Sequence, residues 1–161
     1  MYFKKMLKIL QINYQGSNIK GFSLLELIIA IILIVLITSF AIPKYNAITY
    51  NSNLSILKSD LSLIQNSITQ SKTKNILLSN NEKIENLDNS ATDKINEKLF
   101  TNVINFSIIS TDSKEKKAGK WSKISDISYE FYLSSSKAIL FSFEDEKLVC
   151  KSEEELCKEI R

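Results

Sequence analysis

The sequence contains no histidine. That removes the commonest general base, proton shuttle and metal ligand together, so Ser-His-Asp and Cys-His sites are excluded. Only three glycines and one proline are present, and no glycine-rich loop is available to cradle a phosphate. The two cysteines, Cys150 and Cys157, are too few for a zinc site without histidine. In an oxidising compartment they read as a short disulfide loop, and otherwise as two unrelated thiols. Consecutive Glu153, Glu154 and Glu155 cannot all face one ion, and no Asp-x-Asp pattern accompanies them, so calcium is not expected. Carboxylates at paired catalytic spacing are missing too. No catalytic residue, cofactor or metal is therefore expected.

Cationic excess is also scarce once its position is considered. Lys4, Lys5, Lys8 and Lys20 precede the one long apolar run; taking them from the 21 basic residues leaves 17 against 18 acidic ones. The chain after residue 21 is close to neutral, which gives no support to nucleic-acid binding through a strong basic surface.

The apolar content is concentrated in residues 22–42, FSLLELIIAIILIVLITSFAI. As a helix this segment spans roughly 30 Å, the thickness of a hydrocarbon core. The lysines before it place the N-terminus in the cytoplasm. A secretory signal would have a shorter apolar region and a small-residue cleavage site. A plain single-span anchor fits the length but does not predict Glu26. A carboxylate inside such a run is costly and marks a function. Cutting the chain after Gly21 would create an α-amine at Phe22, one helical turn from Glu26, where opposite charges offset each other and the helix dipole favours an anion.

Lys20-Gly21 followed by Phe22-Ser23-Leu24-Leu25-Glu26-Leu27-Ile28 resembles the cleavage and methylation motif of type IV pilins and type II secretion pseudopilins. The likeness covers about residues 20–45, with a leader longer than the shortest type. It implies that prepilin peptidase, a membrane aspartyl protease, cuts between Gly21 and Phe22 and N-methylates Phe22. It also implies that Glu26 pairs with the N-terminal amine of a neighbouring subunit during fibre assembly. Pro43 falls where many members carry a helix-bending proline, and its ring leaves the Ser39 carbonyl unbonded. In the family this weak stretch can melt on entry into the fibre. The expected partners are the peptidase, the inner membrane and other pilins or pseudopilins.

The expected organisation is a leader over 1–21, a transmembrane assembly helix over 22–42, an amphipathic continuation over 43–74 and a periplasmic globular part over 75–161. Leu54, Leu57, Leu61, Ile64 and Ile68 recur at spacings of three and four and form one apolar face, with Ser, Asn, Lys, Asp and Gln opposite. Residues 75–92 read as loop, although Ile76, Leu77 and Leu78 call for burial. Ser90 and Asp93 are placed to cap a short helix over 93–100. Residues 103–109 fit a strand or a helical turn, and 110–120 a solvated charged loop. Alternation at Tyr129, Phe131 and Leu133, then Ile139, Phe141 and Phe143, then Leu148 and Cys150, predicts a three-stranded antiparallel meander on the helix. Trp121 is expected in its core or at its edge.

The fold class implied is α+β and pilin-like: a long N-terminal helix packed on a small antiparallel sheet. The functional expectation is a non-enzymatic pseudopilin or minor pilin of a type IV pilus-like fibre, serving type II secretion or DNA uptake. A DNA-binding minor pilin would use a local patch of Lys114, Lys116, Lys117, Lys120 and Lys123. The reading from another class is a single-span, membrane-anchored periplasmic binding domain.

Overall fold

The computed structural model describes residues 23–79 and 83–160. The order is helix α1 (Leu24–Leu77), strands β1 (Lys98–Leu99), β2 (Ile108–Ile109), β3 (Lys120–Lys123), β4 (Ser128–Ser134), β5 (Lys137–Glu144) and β6 (Lys147–Cys150), then helix α2 (Glu154–Glu159). The architecture is α+β. Two compact units divide at Ile42/Pro43, and α1 continues as helix through Pro43.

In the second unit, α1 meets a four-stranded antiparallel sheet ordered β3-β4-β5-β6. One strand more than expected is present, because Lys120–Lys123, at the end of the expected charged loop, pairs along β4. Register explains the core. Trp121 lies opposite Phe131 and Phe131 opposite Ile139, while Tyr129 lies opposite Phe141 and Phe141 opposite Cys150. Period-two alternation therefore gathers these side chains on one face. Leu57, Ile64 and Ile68 of α1 are fully buried against it, and Leu54 and Leu61 are half-buried alongside. Each fully buried aliphatic side chain contributes roughly 1.5–3 kcal/mol. The Trp121 ring is a hub, with centroids 5.4 Å from Phe100, 5.2 Å from Phe131 and 5.4 Å from Phe141.

Polar residues beside the apolar stripe also face the sheet, where a solvated face was expected. Asn53 donates to the Leu133 carbonyl at 2.8 Å, and Asp60 accepts from Trp121 Nε1 at 2.9 Å. At 3.6 residues per turn, 53, 57, 60, 64 and 68 share one broad face. Gly119 sits against Asn53 with φ +75°, and a Cβ there would lie 2.8 Å from Asn53 Oδ1. Glycine is required at that position on both counts.

Two expectations fail. Residues 93–100 are not helical, since Asp93, Asn96 and Phe100 all have positive φ. Asp93 is drawn instead to Ser113, whose N–H and hydroxyl donate to its carboxylate at 2.6 and 2.7 Å. The segment ends in β1, which pairs with β2 and settles 103–109 as a turn leading into a short strand. Ile76, Leu77 and Leu78 are not buried either; they are 60%, 78% and 67% exposed. Helix α1 ends at Leu77, three residues beyond the expected 74, with Ser79 in the left-handed region just past it. Within the expected loop 75–92 it is Leu87 that is fully buried.

Candidate functional site: the head of the long helix and its anchorage

Ser23 precedes the first helical residue, and its Oγ accepts the Glu26 backbone N–H at 3.2 Å while its carbonyl accepts Leu27 N–H at 3.1 Å. Ser23-x-x-Glu26 thus has the spacing of a capping box, with Ser23 as N-cap and Glu26 three residues on. The motif is written in the sequence, although the cost of the buried-length charge draws attention first. It fixes where the helix starts, at Leu24. The Glu26 carboxylate lies exposed in the first turn, among the orphan N–H groups and the positive end of the helix dipole. Gly21 and Phe22, and the four leader lysines, lie outside the described residues.

From Leu27 to Ile42 the helix carries apolar side chains on every side, and all are exposed. Helix α1 is long and apolar enough in this part to cross a membrane. Such a surface is strongly unfavourable in water and calls for lipid or other apolar helices. The two hydroxyls within it are satisfied internally. Thr38 donates to the Ile34 and Val35 carbonyls, both at 3.0 Å, and Ser39 to the Leu36 carbonyl at 2.7 Å. This back-bonding lets them sit in hydrocarbon and also loosens the ladder. Ser39 is the same residue whose carbonyl loses its donor at Pro43.

The globular unit is fastened at its C-terminus. Cys150 and Cys157 form a disulfide with a Cα–Cα distance of 5.8 Å, and no free cysteine remains. It ties α2 to β6, where Leu156 and Ile160 pack on the core. A second fastening runs through Tyr50, whose hydroxyl donates to Glu159 at 2.5 Å and accepts from Lys137 Nζ at 2.9 Å. Burial, and then the bond to Glu159, holds the Tyr50 phenol above its ordinary range.

Sequence periodicity gives little sign of a buried polar cluster around Asp88. Its Oδ1 accepts from Lys123 Nζ and from Ser90 N–H, both at 3.0 Å, while Oδ2 accepts Phe100 N–H at 2.9 Å and the Tyr129 hydroxyl at 3.0 Å. Both ion-pair side chains are almost completely buried. Burial, and then the Asp88 charge, pushes the Tyr129 phenol far up, so it stays a donor. Asp88 spends its acceptors on four donors, and the cluster fixes loop 83–100 to the sheet. It also holds Phe100, a bulky residue at φ +60°, in a conformation that costs about 1–3 kcal/mol elsewhere. Lys123 shares the inward face with Trp121 by alternation, and that was the available signal. It is therefore removed from the expected basic patch, leaving Lys114, Lys116 and Lys117 exposed and Lys120 half-buried.

Among the described residues, no group of three metal-ligating side chains comes together. No family model matches the chain, and no curated protein or solved structure matches it either.

Proposed function

We propose that this chain is a non-enzymatic subunit of a type IV pilus-like fibre, a pseudopilin or minor pilin serving type II secretion or DNA uptake. The observation that carries the reading is the position of Glu26. It is one carboxylate in the first turn of a helix that is otherwise apolar to Ile42 apart from Thr38 and Ser39. A plain anchor has no use for that charge.

The mechanism rests on charge and dielectric. Lys20-Gly21-Phe22 is the processing site for prepilin peptidase, and cleavage leaves an α-amine at Phe22 that is then methylated. Ser23 starts the helix one residue later. In the sequence the new amine precedes that cap by one residue and Glu26 by four. In the low-dielectric membrane an unpaired carboxylate is expensive, so Glu26 attracts the amine of an adjacent subunit and sets the stagger between helices. The waiting subunit is single-pass in the inner membrane, with its N-terminus cytoplasmic and its globular unit periplasmic. The loosened turn from Thr38 to Pro43 is the place to extend when the helix leaves lipid for the fibre.

Direct DNA binding gains nothing from the fold, because Lys123 is committed to Asp88. Mass spectrometry of the mature N-terminus tests the reading. N-methyl-Phe22 is expected, and an intact Met1 would overturn it. Gly21→Trp should leave the longer precursor. Glu26→Ala should be processed normally yet fail to co-purify with assembled fibres; unchanged incorporation would remove the role given to Glu26.

A further inference from the structure

We propose that the outer edge of β6 accepts an extended peptide as a fifth strand, one whose side chains alternate between apolar and acidic. β6 is the end strand of the sheet. Backbone groups in an antiparallel strand point alternately toward and away from the neighbour. Lys151 N–H reaches inward to the Leu140 carbonyl, whereas Leu148 N–H reaches outward to Gln65 Oε1 at 3.2 Å. Alternation then turns the N–H and C=O of both Leu148 and Cys150 away from β5. Only Leu148 N–H is taken, and the other three groups have no hydrogen-bond partner among the described residues.

Gln65 shows what belongs there. Its side-chain amide accepts from Leu148 N–H and donates to the Glu146 carbonyl at 3.4 Å, the pair of bonds that the C=O and N–H of one residue on a neighbouring parallel strand would make. One peptide position is thus already imitated from α1, and the chain runs on past it with its edge open.

The space beside that edge fits the occupant. Between α1 and β6 lies a groove of about 730 Å³, lined among others by Lys58, Leu61, Lys147, Leu148, Val149 and Ile160. No carboxylate lines it. Neither Lys58 nor Lys147 forms an ion pair with a described residue. Leu61 and Leu148 offer an apolar wall toward the helix, and Lys147 and Val149 border the other side. A strand sends alternate side chains to opposite faces. An alternating apolar–acidic strand would therefore satisfy the wall and Lys147 together, with main-chain bonds supplying affinity and side chains supplying selection.

The opposite edge makes the contrast. On β3, Thr111 N–H bonds the Trp121 carbonyl and Asp93 N–H the Lys123 carbonyl, both at 2.8 Å. That edge is filled by the chain itself, and the edge of β6 is not.

The test uses the full chain in neutral detergent micelles and fluorescent hexapeptides followed by anisotropy. A Val/Glu alternating peptide should bind. A Val/Lys peptide should bind about tenfold more weakly or worse, as expected for opposite against like charge. The Val/Glu peptide with alternate amides N-methylated should lose binding, because it cannot complete the ladder. Lys147→Glu, at an exposed position, should reverse the preference between the two charged peptides. Hydrogen exchange at the Cys150 amide should slow when the Val/Glu peptide is added. Absence of Val/Glu binding, equal binding of the N-methylated peptide, or an unchanged charge preference in Lys147→Glu would each overturn the proposal. So would self-association through β6 that the peptide does not displace, since the occupant would then be a second copy.

Discussion

Lys123 and Asp88, separated by 35 residues in the chain, meet at 3.0 Å in a site from which solvent is almost absent. One comes from a strand and the other from a loop without regular structure, so the pair adds a polar tie between parts of the fold whose Phe100 and Trp121 rings already meet in the core. A buried ion pair is weak evidence of net stabilisation, but breaking one side of it is costly.

Lys123→Met should therefore lower stability by about 3–5 kcal/mol, because Asp88 is left charged and buried without its cation. Denaturant unfolding of the full chain in micelles measures this. Lys123→Met combined with Asp88→Asn should be less destabilised than Lys123→Met alone. If the double variant is the worse of the two, the desolvated charge is not what the single variant suffers from.

Asp60 supplies a pH prediction. Burial raises its carboxyl above the ordinary range, against the opposing effects of the Trp121 bond and Lys120. A carboxyl with a raised folded pKa favours folding while protonated, and that contribution is lost as pH rises from the unfolded value through the folded one. Asp60→Asn keeps an acceptor for Trp121 Nε1 without the charge. A small rise in Tm at pH 7 is expected, shrinking toward zero below the ordinary aspartate range. A Tm difference independent of pH would contradict it.

Removing the Cys150–Cys157 bridge by Cys150→Ser should cost on the order of 2–3 kcal/mol, the chain-entropy value for so short a loop. The loss should concentrate on α2, which has six residues and no side-chain cap at its N-terminus. Hydrogen exchange over 154–159 should accelerate well before that of Trp121 or Phe131. Uniform acceleration would mean that the bridge supports the whole sheet.

Ser23→Ala should cost about 1 kcal/mol of helix-start stability, the usual loss for an N-cap. The Glu26 amide should exchange several-fold faster as a result. Ser23→Asp should restore protection, since aspartate is an equally good cap.

The parts of the fold legible in the sequence are those written in local periodicity. The apolar span, the stripe from Leu54 to Ile68, and strands β4 to β6 announce themselves by spacings of 3.6 or 2. The disulfide was legible because only two cysteines exist. Residues 93–100 misled for a tertiary reason: a helix-friendly composition gave way once Ser113 claimed Asp93 and Asp88 claimed the Phe100 amide. β3 was hidden because four residues, two of them lysine, adjoin a charged run, and only the pairing with β4 reveals that Lys123 points inward. At the helix head, Glu26 was conspicuous by cost alone, whereas the Ser23 cap needed its partner three residues on to be noticed. Burial of Ile76, Leu77 and Leu78 was inferred from side-chain chemistry, yet the helix ends just before Ser79 with all three exposed among the described residues.

The filled edge of β3 limits what the sheet can become. With Thr111 and Asp93 occupying that flank, the sheet can be extended from the side of β6 and not from the side of β3. Two molecules meeting edge to edge would close on each other and stop. A pair of molecules joined through β6 is therefore one to one, because the filled flank of β3 offers no open edge at Trp121 or Lys123 from which the pair could be prolonged.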